Sequence, residues 1–161
     1  MITIRKASKT DDPQLWEIIK SVISSGDTYV FAPAPSKEKM LAYWRGADKK
    51  TYVALWENKI VGTFFLKENQ PDLGSHIANA GYMVAPEAKV KRVGRTMAEL
   101  SIAEAKRLGY RAMQFNFVVK SNETAVKLWL SLGFEIIGEI PESFNHIENG
   151  LTNALIMYRK L

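Results

Sequence analysis

The sequence predicts one α/β domain, spanning residues 1–161, on a mixed, mostly antiparallel central sheet with helices on both faces. Three observations lead there. Hydrophobic periodicity along the chain switches in the order β-α-α-β-β-β-α-β-α-β-β, which needs a sheet covered on both faces. Two β-rich apolar runs, Thr51 to Trp56 and Lys59 to Lys67, are separated only by Glu57-Asn58, the spacing of a two-residue antiparallel hairpin. And 161 residues with 47% hydrophobic and 24% charged side chains fit a single globular unit, at roughly 150 residues per domain, with no repeat or Gly/Ser linker.

Taken in order, Ile2 to Lys6 alternates as a strand, and Asp11-Asp12-Pro13 starts a helix that runs to about Ser24, because Pro is accepted in the first turn after an Asp cap. Ser25-Gly26-Asp27 ends it. Thr28 to Pro35 holds two prolines and no helical period, so it reads as an ordered surface loop. Ser36 caps a second helix to about Arg45, and the hairpin follows. After a polar loop with Pro71 and Gly74, Ser75 to Val84 is a strand of low propensity, and Gly81 within it suggests a bulge around Asn79 to Gly81.

From Val93 to Leu108 a helix carries Gly94, Met97, Ala98, Ser101, Ile102, Ala105 and Leu108 on one face, small enough to lie close on a sheet. Gly109 stops it. Arg111 to Val119 is a strand, Ser121 or Asn122 opens a short helix with Ala125, Leu128, Trp129 and Leu132 at helical spacing, and Gly133 closes that. Phe134 to Ile140 is predicted as a strand, Pro141 to Gly150 as a loop, and Leu151 to Tyr158 as the last strand.

Composition excludes several chemistries. With no cysteine there is no disulfide framework, thiolate metal site or cysteine nucleophile, and two histidines leave little for an imidazole cluster, so no metal is expected. The apolar runs fall far short of the ~20 residues of a spanning helix. Met1 to Arg5 lacks the basic-then-apolar order of a secretory signal, and a cytoplasmic location is expected. The net charge of +5, with a pI near 9.4, suits an anionic partner.

The charge is concentrated in one chemically informative segment. The stretch from Tyr82 to Met97 holds a strand end, a turn and a helix start bearing Lys89, Lys91, Arg92 and Arg95. Free amides and the positive dipole end of a helix bind phosphate, and cations there otherwise oppose the dipole. Such a cluster reads either as a pyrophosphate cradle or as a solvated basic loop. No aromatic-interleaved basic sheet or recognition helix supports nucleic acid, and no Gly-x-x-x-x-Gly-Lys-Ser/Thr is present for a nucleoside triphosphate.

Val84-Ala85-Pro86 followed by Lys89-Val90-Lys91-Arg92-Val93-Gly94-Arg95 resembles the signature of the Gcn5-related N-acetyltransferase (GNAT) superfamily, in which Val-x-Pro precedes Arg/Gln-x-x-Gly-x-Gly/Ala. Lys89 replaces Arg or Gln, and Arg92 replaces the middle glycine. A second segment, Asn122-x-x-Ala125-x-x-Leu128-Trp129-x-x-x-Gly133-Phe134, is similar to the family's carboxyl-terminal Asn-x-x-Ala-x-x-Leu-Tyr-x-x-x-Gly-Phe. The resemblance implies acetyl-CoA as co-substrate and an amine of a small molecule, amino acid or peptide terminus as acceptor. It assigns the pantetheine arm and pyrophosphate to the amides of Val84 and of Val90, Lys91, Arg92, Val93, Gly94 and Arg95, with Lys89 beside them, a coenzyme contact to Asn122, and Trp129 to the same site. It also admits a homodimer through the last strands.

Trp129 stands where many family members carry the tyrosine that protonates the leaving thiolate, and indole N–H is no acid near neutral pH. Either that acid is replaced or unnecessary, or the fold has become a non-catalytic acyl-CoA sensor. The catalytic base is not identified by the sequence. Tyr29, Tyr82 and His146 are the candidates by placement, Tyr29 in the loop where the family builds its acceptor wall and Tyr82 if its strand register turns it inward.

Overall fold

The computed structural model describes residues 1–161. The strands are β1 (Thr3–Lys6), β2 (Lys50–Trp56), β3 (Lys59–Glu68), β4 (Ile77–Val84), β5 (Ala112–Val119), β6 (Glu135–His146) and β7 (Gly150–Lys160). The helices are α1 (Asp12–Ser24), α2 (Lys37–Trp44), α3 (Val93–Arg107) and α4 (Glu123–Ser131). All seven strands form one sheet in the order β1-β2-β3-β4-β5-β7-β6, antiparallel at every step except the parallel pair β4 and β5.

Strand alternation divides the sheet between two cores. Val53, Phe65 and Met83 pack with Leu15, Ile19, Ile23, Met40 and Trp44 of α1 and α2. Their sequence neighbours Tyr52 and Phe64 point the other way, onto Met97, Ala98, Ile102 and Ala105 of α3 and Trp129 of α4. The small face expected on α3 is the face that is buried. No helix is long and apolar enough to cross a membrane.

The hairpin between β2 and β3 turns at Glu57 and Asn58, both at positive φ (49° and 62°), as a tight two-residue turn requires. The α1 start is built differently from the expected Asp cap. Asp11 takes the N-cap position without a side-chain capping bond; its carboxylate instead accepts from Arg5 at 2.7 and 2.9 Å and from the Ser8 amide at 2.7 Å.

Two other expectations are corrected. Pro141 to Gly150 is not a loop: β6 continues through it to His146, paired with β7 as far as Gly150. Proline is tolerated because β6 is the sheet's edge and the register shifts between Ile140 and Phe144, so no ladder donor is demanded there. No bulge interrupts β4 at Asn79 to Gly81; β4 stays in register with β3 from Ala78 to Val84. Gly81 is needed for close approach, since a Cβ there would lie 2.6 Å from the Phe65 ring.

Candidate functional site

The parallel pairing of β4 and β5 covers only Ile77 with Ala112 and Ala78 with Met113. Beyond it β5 turns to β7, with its own register shift between Phe115 and Val118, and a gap opens toward the carboxyl ends of both strands. Val61 accepts from the Ala85 amide, so the ladder alternation points the odd residues of β4 at β3 and turns the N–H and C=O groups of Ala80, Tyr82 and Val84 into the gap. The two strands therefore splay because their parallel pairing is short, and not through a bulge in β4.

The open end of this gap meets the start of α3. Lys89, Lys91 and Arg92 are exposed in the turn after Pro86, and none of them belongs to an ion pair. Arg92 is the N-cap of α3 and adopts the left-handed conformation, φ 70° and ψ 15°, which is the geometry glycine would take without strain. Its carbonyl accepts from the Thr96 amide and starts the helix, leaving the amides that precede it free to face a ligand. A Cβ on Gly94 would find nothing nearer than Val84 Cγ2 at 3.8 Å and Leu128 Cδ2 at 3.9 Å. The protein's own atoms do not demand glycine there. What a methyl would occupy is the space over the helix start, so the residues fit a phosphate-bearing ligand laid against the backbone.

Arg95 is committed differently from the other cations. Its guanidinium donates to Ser131 Oγ of α4 at 2.7 Å and pairs with Glu99 at 3.2 Å, holding α3 to α4. Asn122 caps α4, its Oδ1 accepting from the Ala125 amide at 3.4 Å, which leaves the side-chain amide as a free donor. Trp129 is buried, its ring 4.8 Å from Tyr82 and 4.6 Å from Phe115, in an aromatic cluster that includes Phe134.

Tyr82 has its backbone in the gap and its side chain on the α3 face. Ser101 Oγ donates to the Ala98 carbonyl at 2.8 Å, so the Tyr82 hydroxyl is the donor in their 2.6 Å contact. Tyr29 meets the same residue from the other face. Its hydroxyl donates to the Tyr82 carbonyl at 2.9 Å and accepts from the Tyr82 amide at 3.1 Å, taking both positions a neighbouring strand would fill. Burial pushes both phenols above their ordinary range, for Tyr29 against the Tyr82 amide bond that its oxygen accepts, and both are neutral at physiological pH.

On the α1 side a cleft of about 480 Å³ lies between the loop after α1 and the end of the β6–β7 hairpin, lined by Tyr29, Phe31, Pro33, Phe144, Asn145 and His146. The Ile147 amide donates to the Gly26 carbonyl and ties its two walls together. His146 Nδ1 accepts from the amides of Glu148 and Asn149 at 3.1 and 3.2 Å, so Nε2 carries the proton and the ring presents a donor rather than a base. His146 also borders a polar recess with Asp27, Thr28, Asn122 and Glu123. Sequence reasoning did not single out Asp27 or Glu123; only the fold brings the end of α1 and the start of α4 together.

A parallel-to-antiparallel splay at mid-sheet, facing a cationic helix start, defines an acyl-transferase class of fold. Residues 16–134 match the Acetyltransferase (GNAT) family, and the chain belongs to it. A GCN5-related N-acetyltransferase from Kribbella flavida is 36% identical, with a TM-score of 0.93 over 99% of this chain and 98% of that one. A phosphinothricin acetyltransferase from Sinorhizobium meliloti, solved in complex with AcCoA, has the same fold at 21% identity, TM-score 0.86, over 99% and 88% of the two chains. The N-acetyltransferase aca1 of Schizosaccharomyces pombe is 34% identical over 88 residues, 55% of this chain and 42% of that protein. The chain spans less than half the length of the curated relatives it matches.

Proposed function

We propose that the protein is an N-acetyltransferase that uses acetyl-CoA to acetylate a primary amine of a small molecule or amino acid, by direct attack within a ternary complex. The observation that carries this reading is the gap beside Val84 opening onto the α3 start. Inward backbone donors there adjoin three unpaired cations and a glycine whose missing Cβ leaves room. The amides of Val84 and of Val90 to Arg95 are the donors for the pantetheine arm and pyrophosphate, with Lys89, Lys91 and Arg92 adding charge-assisted contacts and Asn122 a further amide donor.

Acetyl-CoA supplies the activated thioester. The chain's part is to hold that carbonyl against the inward N–H of Val84, the β4 donor in the gap that no side chain occupies, which stabilises the oxyanion, and to admit the neutral amine from the cleft. The amine nitrogen bonds to the carbonyl carbon, the C–S bond breaks, and the proton lost by the ammonium leaves through water, since Tyr29 and Tyr82 are neutral donors and His146 Nδ1 is occupied. A thiolate with a pKa of ~8.5, by analogy with cysteine, needs little acid assistance, which accommodates Trp129. The edge strand β6 exposes Ile136 and Ile137, a face suited to a second copy of the chain.

The reading is tested by calorimetry with acetyl-CoA, followed by thiol release across amino acids, polyamines and peptides. Amine-dependent release establishes the transferase. Tight binding with no release for any amine assigns the fold to the acyl-CoA sensor instead, and sedimentation of Ile137→Lys against wild type tests pairing through β6.

A further inference from the structure

We infer that Tyr29 sets the acyl length the protein accepts, by closing the β4–β5 gap immediately beyond the seat of the thioester. The inference rests on the acyl-CoA reading above and adds to it which acyl groups fit.

The gap has an open end and a closed end. At the closed end, β4 and β5 are hydrogen-bonded at Ala78 and Met113. Between that closure and Val84, both inward positions of β4 are already occupied by side chains. Asn79 Oδ1 accepts from the Ala80 amide at 2.7 Å, and the Tyr29 hydroxyl bridges the amide and carbonyl of Tyr82. A ligand entering from the α3 start therefore finds Val84 open and Tyr82 capped.

Distance then limits the acyl chain beyond the thioester. Val84 and Tyr82 are two residues apart on a strand, about 7 Å at ~3.4 Å per residue. Subtracting a van der Waals contact of about 3.5 Å leaves about 3.5 Å, room for one or two carbons beyond the carbonyl and not for a butyryl chain. The stop is also firm. The Tyr29 ring stacks on Phe31 (centroids 6.5 Å) and stands edge-on to Trp44 (6.1 Å), and Trp44 in turn packs on Phe65 at 4.8 Å. On the opposite face Tyr82, Phe115 and Trp129 fill the space, so a longer chain has no side exit there.

The experiment measures dissociation constants by calorimetry for coenzyme A, acetyl-CoA, butyryl-CoA and hexanoyl-CoA, in wild type, Tyr29→Phe and Tyr29→Ala, with thiol release for the same series. Wild type is expected to bind butyryl-CoA about tenfold more weakly than acetyl-CoA, the scale of an overpacked site. Tyr29→Ala brings that ratio to about one and gives measurable turnover of the longer thioesters. Tyr29→Phe keeps the ring and loses only the anchoring hydroxyl, so its ratio lies between the two; this variant decides the matter if the alanine variant does not fold. A wild-type ratio near one, or a ratio unchanged in a folded variant, overturns the inference while coenzyme A binding leaves the acyl-CoA reading intact. Failure of wild type to bind coenzyme A at all overturns both.

Discussion

Arg92 is the residue where the sequence departs from the family pattern and the structure shows the cost. It holds a left-handed backbone at the α3 N-cap, where a side chain costs roughly 1 kcal/mol relative to glycine. Arg92→Gly should raise stability by about that amount over Arg92→Ala in urea unfolding, while both variants lose coenzyme A affinity alike, roughly three- to tenfold at low salt. A glycine variant that binds better than the alanine variant would show that backbone geometry, not charge, is the contribution. Asp11 makes a different case. It is 4% exposed, and Arg5 and the Ser8 amide hold its carboxyl well below the usual carboxylate range. A depressed folded pKa adds stability above the unfolded value and loses it as pH falls toward the folded one. Asp11→Asn should cost about 1–3 kcal/mol at pH 7, and its gap from wild type should narrow steadily as pH falls below about 5. Denaturant midpoints across that range check the sign.

At the scale of elements, α3 is the clearest link from sequence to site. Its small face was legible because helical period and residue size agree, and the Glu57-Asn58 turn because its spacing admits one geometry. The end of β6 was not legible. Pro141 and Gly150 carry the local signal of a loop, and only the edge position and the shifted register, both properties of the assembled sheet, allow a strand there. The Tyr29 bridge was hidden for the same reason, since 53 residues separate the partners and no local pattern joins a loop hydroxyl to a strand amide. The coenzyme cradle we propose rests on its motif, and the motif did not separate Arg95, which braces α4, from the three free cations. Gly94→Ala tests the cradle with effects of opposite sign. The helix gains about 0.5–1 kcal/mol, because no protein atom lies within 3.8 Å of the new methyl, while coenzyme A affinity falls at least tenfold. Thermal unfolding and calorimetry on one sample read both.

The whole molecule carries a charge of +5, and the question at that scale is whether this field or the local cluster captures an anionic substrate. Long-range attraction from scattered lysines is screened once the Debye length drops to about 8 Å near physiological ionic strength. Contacts with phosphate at a helix start persist further, because hydrogen bonds and the dipole act at contact distance. Lys89→Ala with Lys91→Ala removes two charges at the cradle, whereas Lys20→Ala with Lys37→Ala removes two exposed charges on α1 and α2. Both double variants have a net charge of +3, two below the wild-type +5. If the cradle captures the coenzyme, the first pair weakens acetyl-CoA binding by roughly ten- to a hundredfold at low salt and flattens its dependence on salt, and the second pair changes neither by more than about twofold. Equal losses from the two pairs would instead assign capture to the field of the whole surface, and titration at two salt concentrations separates these outcomes.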